Sequence, residues 1–94
     1  MDDQHLCDEL LQAAGRLGIE VRMEPFETPA VVGGGLCVVR GEPLVLIDQR
    51  APLADRIGAL ARALAELESE TIYIAPEARE LIEAIRGSRK SHRE

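Results

Sequence analysis

The sequence predicts an α+β domain with an N-terminal helix, a small sheet of three to four mainly antiparallel strands, a leucine-seamed central helix and a C-terminal helix. Two observations predict this class. Apolar residues recur at helical spacing in three separate segments. Between the first two segments, short apolar runs alternate with proline and glycine, as strands and turns do. The 94 residues suit one domain, which we assign to residues 1–86, with a disordered basic tail at 87–94.

The N-terminal part predicts a helix followed by a strand. Over Asp2–Leu17 the apolar residues share one helical face, and acids cluster in the first turn, where they suit the helix dipole. Gly18 is placed to end this helix. Over Ile19–Glu24 apolar and charged residues alternate, as in a strand with one buried face, and Pro25 ends the pattern.

A hairpin is predicted next. Leu36–Arg40 and Leu44–Asp48 are apolar runs joined by Gly41 and Glu42. The second run is apolar on both faces, which is typical of a central strand covered on both sides. Helices can cover one face, and a partner chain could cover the other.

The rest of the chain predicts two helices with a short strand between them. The first begins near Pro52, and the second opens at Pro76 and ends at Gly87. The strand is predicted at Thr71–Ile74. The first helix carries a narrow leucine seam, formed by Leu53, Ile57, Leu60, Leu64 and Leu67.

Composition argues against two classes of partner. The net charge of −6 lies on an acidic body with a small basic tail, whereas affinity for nucleic acid depends on basic surface. No apolar run approaches the length of a membrane span. The N-terminus, MDDQH, is acidic and has no secretory pattern. We therefore expect a cytoplasmic protein with both cysteines reduced.

The candidate site for a ligand or partner lies around the glycine cluster that precedes the hairpin. It consists of the residues Val31, Val32, Gly33, Gly34, Gly35 and Cys37. A phosphate-binding loop needs its glycines between a strand and a helix, with further residues at fixed spacing, and these are absent. The glycines are better explained by a sharp turn into the hairpin. We expect no cofactor.

Cys37 is the one candidate nucleophile, and it lacks a positioned base. The histidines are His5, in the first turn of the N-terminal helix, and His92, in the tail. His5 and Cys7 are two apart, so they do not share a helical face, and no metal-ligand spacing such as CxxC is present. We therefore predict neither catalytic residues nor a metal site, and a small core residue is the expected role of Cys37.

The stretch Gly33–Leu67 combines a glycine-led hairpin with a helix that reads LARALAEL. In this layout it resembles the core of the IrrE/ImmA-type zinc peptidases, whose helix carries an HExxH motif. Matching the two puts Arg62 and Glu66 at the histidine positions and Ala63 at the glutamate position. Arginine cannot ligate zinc at neutral pH, and alanine cannot act as a base. The resemblance thus implies a related fold without peptidase activity.

Two functions remain open. The first is a small non-enzymatic protein that acts through protein contacts, as a homodimer or with another protein. Its grounds are the two-sided strand, the leucine seam and the valines near the glycine cluster. The alternative is a ligand-binding protein or thiol-dependent enzyme that uses Cys37 and the Gly33–Gly35 loop.

Overall fold

A computed structural model describes residues 2–25, 34–67 and 71–91 and confirms the α+β class. Over these residues the elements follow in the order α1, β1, β2, β3, α2 and α3. Their bounds are α1 Asp3–Arg16, β1 Glu20–Glu24, β2 Gly34–Val39, β3 Glu42–Asp48, α2 Leu53–Glu66 and α3 Pro76–Ser91. No helix of the described residues is long and apolar enough to cross a membrane.

The sheet has the strand order β1-β3-β2, so the apolar run in β3 is central, as predicted. β2 and β3 are antiparallel, with Leu36 opposite Val45, but β1 runs parallel to β3, with Val21 opposite Val45. The sheet is therefore mixed, where the sequence predicted mainly antiparallel pairing. A strand in which apolar and charged residues alternate can pair with its neighbour in a parallel or an antiparallel direction. The sequence of β1 therefore does not predict which direction occurs.

The predicted strand at Thr71–Ile74 is wrong. The carbonyl of Ile72 accepts a hydrogen bond from Arg79 at 3.0 Å, and the carbonyl of Tyr73 accepts one from Arg16 at 3.1 Å. These side chains on α3 and α1 satisfy backbone groups that a neighbouring strand would otherwise pair with. The segment is an irregular connection that begins with a turn, and Ile74 is buried.

Two helices, α1 and α2, pack on one face of the sheet. α1 and α2 contact the strands, and α3 packs mainly against α2. In the leucine seam of α2, Ile57, Leu60 and Leu64 are buried in this chain's own core, and its two end residues are partly buried. The seam therefore stabilises the single chain and no longer argues for a partner.

The other face of the sheet lies outside that core. Leu36 and Val45 lie opposite each other and pack with the helices. Side chains alternate along a strand, so the next opposed pair, Cys37 and Leu44, points away from the helices. Leu44 is 8% exposed although it does not belong to the core cluster, and Leu46 is half-buried. The two-sided apolar pattern of β3 thus reflects one face within the core and one outside it.

Glycine ends α1 but not α3. Gly18 has φ +73°, and its N–H donates to Gly15 while the N–H of Ile19 donates to Ala14, which is a Schellman motif. Gly87, in contrast, lies within α3, which continues to Ser91. The predicted helix end at Gly87 is therefore wrong, and the disorder of the basic tail stays a prediction. A glycine that keeps the helical conformation weakens a helix but does not end it. Residues 92–94 lie outside the described part.

The hairpin turn is shifted by one residue from its predicted position. Val39 is opposite Glu42, so the two-residue turn is Arg40 and Gly41, with φ values of 54° and 79°. Positive φ at both positions is the signature of a type I′ turn, which matches the twist of the flanking strands. Glu42 is the first residue of β3.

Candidate functional site

β2 is an edge strand without the features that protect such edges. Among the residues that the structure describes, it pairs only with β3. Its six residues, GGLCVV, include no charge and no proline. Val38 is 70% exposed and Val39 49% exposed. An uncharged, apolar edge strand is a ready template for pairing with another strand.

β1, at the opposite edge of the sheet, is protected by charge. Three of its five residues, Glu20, Arg22 and Glu24, are charged and exposed, and Arg22 forms an ion pair with Glu20. Charged side chains on an edge discourage pairing with a further strand. The two edges of one small sheet therefore differ, and only β2 is suited to pairing.

The turn geometry determines which backbone groups of β2 face outward. In a turn of this kind the carbonyl of its first residue, Val39, bonds to the N–H of its fourth residue, Glu42. Hydrogen-bonded and non-bonded pairs alternate along an antiparallel ladder. Because Val39 belongs to a bonded pair, we infer that the N–H and C=O groups of Leu36 and Val38 point away from β3, toward the edge along which no described strand pairs.

A cleft of about 600 Å³ lies beside this edge, between β2, α2 and α3. We call it the β2 cleft; it is lined by Gly34, Gly35, Leu36, Ala59, Arg62, Ala63, Glu66, Ile85 and Ser88. Its volume is in the range of ligand pockets.

Gly34 brings β2 close to β3 at one end of the β2 cleft. It has φ +126°, and a Cβ there would lie 2.0 Å from the carbonyl oxygen of Leu46. Only glycine fits such an approach. Gly35 is different, because a Cβ there would meet nothing within 4 Å. The glycine pair therefore begins a strand rather than forming a loop for phosphate.

The α2 wall of the cleft holds the three positions matched to the zinc-peptidase motif. Arg62 and Ala63 are adjacent, Glu66 follows them at four and three residues, and all three line the β2 cleft. Among the described residues, no group of three or more His, Cys, Asp or Glu side chains is placed to hold a metal ion. This wall carries one cation, Arg62, and one anion, Glu66, beside the buried Ala63.

A second cleft, of about 820 Å³, lies at the other end of the sheet, near the hairpin turn. Its charged residues are Glu20, Arg22, Arg40 and Glu42. Acids and bases are mixed there in equal number, so this cleft has no dominant charge with which to select a charged ligand.

The two cysteines lie in different environments. Cys7 is 1% exposed, and burial raises the pKa of its thiol, although the nearby Arg56 charge opposes the shift. Cys37 is half-buried on the sheet face away from the helices and lines neither cleft. His5 lies on α1, on the helix side, 3.5 Å from the carboxylate of Glu9. The sheet separates this histidine from Cys37.

The predicted site is therefore only partly brought together. Gly34 and Gly35 line the β2 cleft, whereas Cys37 faces away from it. Three other predicted site residues, Val31, Val32 and Gly33, lie outside the described residues. Val38 was not among the predicted site residues. The signal that could have indicated it is the contrast between the uncharged sequence of β2, GGLCVV, and the charged sequence of β1, EVRME. No protein family, curated protein or solved structure matches this chain.

Proposed function

We propose that this protein is a non-enzymatic interaction domain that binds an extended protein segment along the open edge of β2. The observation that carries this proposal is the contrast between the two edges of the sheet. β1 carries three charged residues, and β2 carries none. Addition of a strand to a sheet edge is a common mode of recognition, in which main-chain hydrogen bonds give affinity and side-chain pockets give specificity.

The β2 cleft supports the proposal because it lies where side chains of an added strand would project. Alternate residues of such a strand point to the helix face of the sheet, beside Leu36. There they meet apolar surface from Leu36 and Ile85, with Arg62 and Glu66 on the α2 wall. A bound segment would thus gain both backbone pairing and burial of apolar side chains.

Binding rather than catalysis agrees with the chemistry of the cleft. Its charged side chains are those of Arg62 and Glu66, and Ala63 occupies the position matched to a catalytic glutamate. If the chain is related to the IrrE/ImmA-type peptidases, loss of the metal-binding groups leaves a cleft that can still bind. The thiol-enzyme alternative gains no support from the described residues, because Cys37 faces away from both the cleft and His5. The two free thiols fit a reducing compartment, and we include a cytoplasmic location in the proposal.

A strand peptide tests this function directly. The probe is a synthetic peptide that copies residues 34–39, with serine in place of the cysteine and a terminal lysine for solubility. Binding to the isotope-labelled protein is followed by amide hydrogen exchange. We expect saturable binding that slows exchange at Leu36 and Val38, because their N–H groups would gain partners.

Two matched variants locate the binding edge. Val38→Lys adds a charge to β2, and Met23→Lys makes the equivalent change on β1, where Met23 is 38% exposed. Val38→Lys should weaken peptide binding by at least about tenfold, because inward-pointing charges block edge pairing, whereas Met23→Lys should leave it unchanged. Equal weakening by both variants, or no slowing of exchange at saturating peptide, would refute the proposal.

A further inference from the structure

We propose that the natural occupant of the β2 edge is the β2 edge of a second copy of this chain, paired antiparallel about a two-fold axis with Leu36 opposite Leu36. This inference rests on the proposed function and specifies its partner. The two three-stranded sheets would join into one continuous sheet of six strands, in the order β1-β3-β2-β2-β3-β1.

The sequence of β2 complements itself in this register. Antiparallel pairing with Leu36 at the centre puts Gly34 opposite Val38 of the second copy, and Gly35 opposite Cys37. The strand begins with two glycines and ends with two exposed valines. Cys37 and Val38 therefore each face a position without a side chain, and residues directly opposite share one face of the sheet.

The exposed valine also has a place to bind. Gly34, Leu36 and Val38 alternate along β2 on the helix face, which is the side where the β2 cleft lies. Val38 of each copy would stand beside Gly34 of the other, on the side of the sheet where Leu36 and Ile85 line the β2 cleft. A valine that is 70% exposed in the single chain would thereby become buried twice in one symmetric interface.

Backbone geometry and charge agree with the same register. The outward-facing N–H and C=O groups of Leu36 and Val38 can form ladder hydrogen bonds only where two outward-facing residues lie opposite each other. This register satisfies that condition, because Leu36 lies opposite Leu36 and Val38 lies opposite Gly34. A two-fold axis brings each residue near its own copy, so a charged strand would repel itself. β2 has no charged residue. In β1 the same operation would bring like charges together.

Oligomeric state is the first test. Light scattering and sedimentation in the micromolar range should give twice the 10.3 kDa mass of the chain. Val38→Lys should return the protein to the monomer mass, whereas Met23→Lys should remain dimeric. Circular dichroism shows whether each variant is folded, and folding is expected because both side chains are exposed. A dimer that persists in Val38→Lys would overturn the inference.

Disulfide trapping tests the register. Gly35→Cys places a thiol opposite Cys37 of the second copy in a non-bonded pair, where the Cα atoms are about 4.5 Å apart and within disulfide range. Mild oxidation should link this variant into a covalent dimer. The wild type and Val39→Cys should stay unlinked, because neither puts two thiols opposite each other. Crosslinking of either at a comparable rate would contradict the register.

The outcomes separate this inference from the function on which it rests. If the wild-type chain is a monomer but binds the residue 34–39 peptide along β2, the second copy is the wrong partner and the interaction function stands. If it is a monomer and β2 binds no strand peptide, both proposals fail. If it is a dimer that the peptide dissociates, both are supported.

Discussion

The guanidinium group of Arg86 on α3 donates a hydrogen bond to the carbonyl oxygen of Leu67, at 2.7 Å, just beyond the end of α2. Arg86 also donates to the carbonyl of Ala65 at 3.0 Å and pairs with Glu83 at 3.1 Å. Carbonyls at the end of a helix have no partner within the helix. One side chain from α3 therefore satisfies the end of α2 and holds together the two helices that form walls of the β2 cleft.

Replacing Arg86 should destabilise the protein through these carbonyls. We expect Arg86→Leu to lower the free energy of unfolding by about 1–3 kcal/mol, because it leaves partly buried acceptors unpaired. Glu83→Gln removes the exposed ion pair but keeps the bonds to α2, so it should cost less than about 0.5 kcal/mol. Urea unfolding measures the free energy of unfolding of both variants. Equal losses would show that Arg86 stabilises the protein through its ion pair with Glu83 and not through its bonds to the end of α2.

The adjacent glycines of β2 should respond differently to alanine. Gly34→Ala puts a Cβ against the Leu46 carbonyl at a left-handed φ, so we expect a loss of about 3 kcal/mol. Gly35→Ala has open space and should change stability by no more than about 0.5 kcal/mol. Urea unfolding compares them, and a Gly34→Ala variant as stable as Gly35→Ala would contradict the close approach of β2 to β3.

The glycines of the two terminal helices should differ in the sign of their response. Gly18→Ala forces a side chain into φ +73° and should cost about 1–2 kcal/mol. Gly87→Ala replaces a poor helix former within α3 and should add up to about 1 kcal/mol. Thermal unfolding measures the two shifts. A loss of stability in Gly87→Ala would mean that α3 does not continue through this position.

The buried thiol should make stability fall at alkaline pH. Burial raises the pKa of Cys7 in the folded state, so the folded protein retains the thiol proton at pH values where the unfolded chain has released it. Its contribution is complete below the unfolded pKa, about 8.5, and is lost as the pH rises from there through the folded pKa.

Cys7→Ala isolates this contribution. The difference in unfolding free energy between wild type and Cys7→Ala should shrink between about pH 7 and pH 10, because other titrating groups act on both proteins alike. Urea unfolding at several pH values measures the difference. If it is constant across this range, the folded-state pKa of Cys7 is not raised.

Local patterns predicted most of the fold, and their failures have physical causes. α1, the hairpin and α2 follow from the spacing of apolar residues and from Gly18, because burial and left-handed φ act at those positions directly. Thr71–Ile74 has the composition of a strand, but Arg16 and Arg79, distant in sequence, bond its carbonyls. Such contacts depend on tertiary packing and are not visible in a local window.

The candidate site was harder to predict than the fold. The exposure of Val38 depends on the helix packing and on β2 lying at an edge, and that order follows from the parallel pairing of β1 with β3. Cys37 was a predicted site residue because it is close to the glycines in sequence. Alternation along β2 then placed it on the opposite face from the cleft, away from Leu36.

Residue-resolved amide hydrogen exchange of the free protein tests the central claim most directly, because the claim is that one side of β2 is open for pairing. In dilute solution, below the range of self-association, Leu36 and Val38 should exchange much faster than Cys37 and Val39, whose N–H groups bond to β3. Raising the protein concentration should slow the fast pair selectively. Strong protection of Leu36 and Val38 at every concentration would mean that this chain already covers its own edge, and would contradict the account.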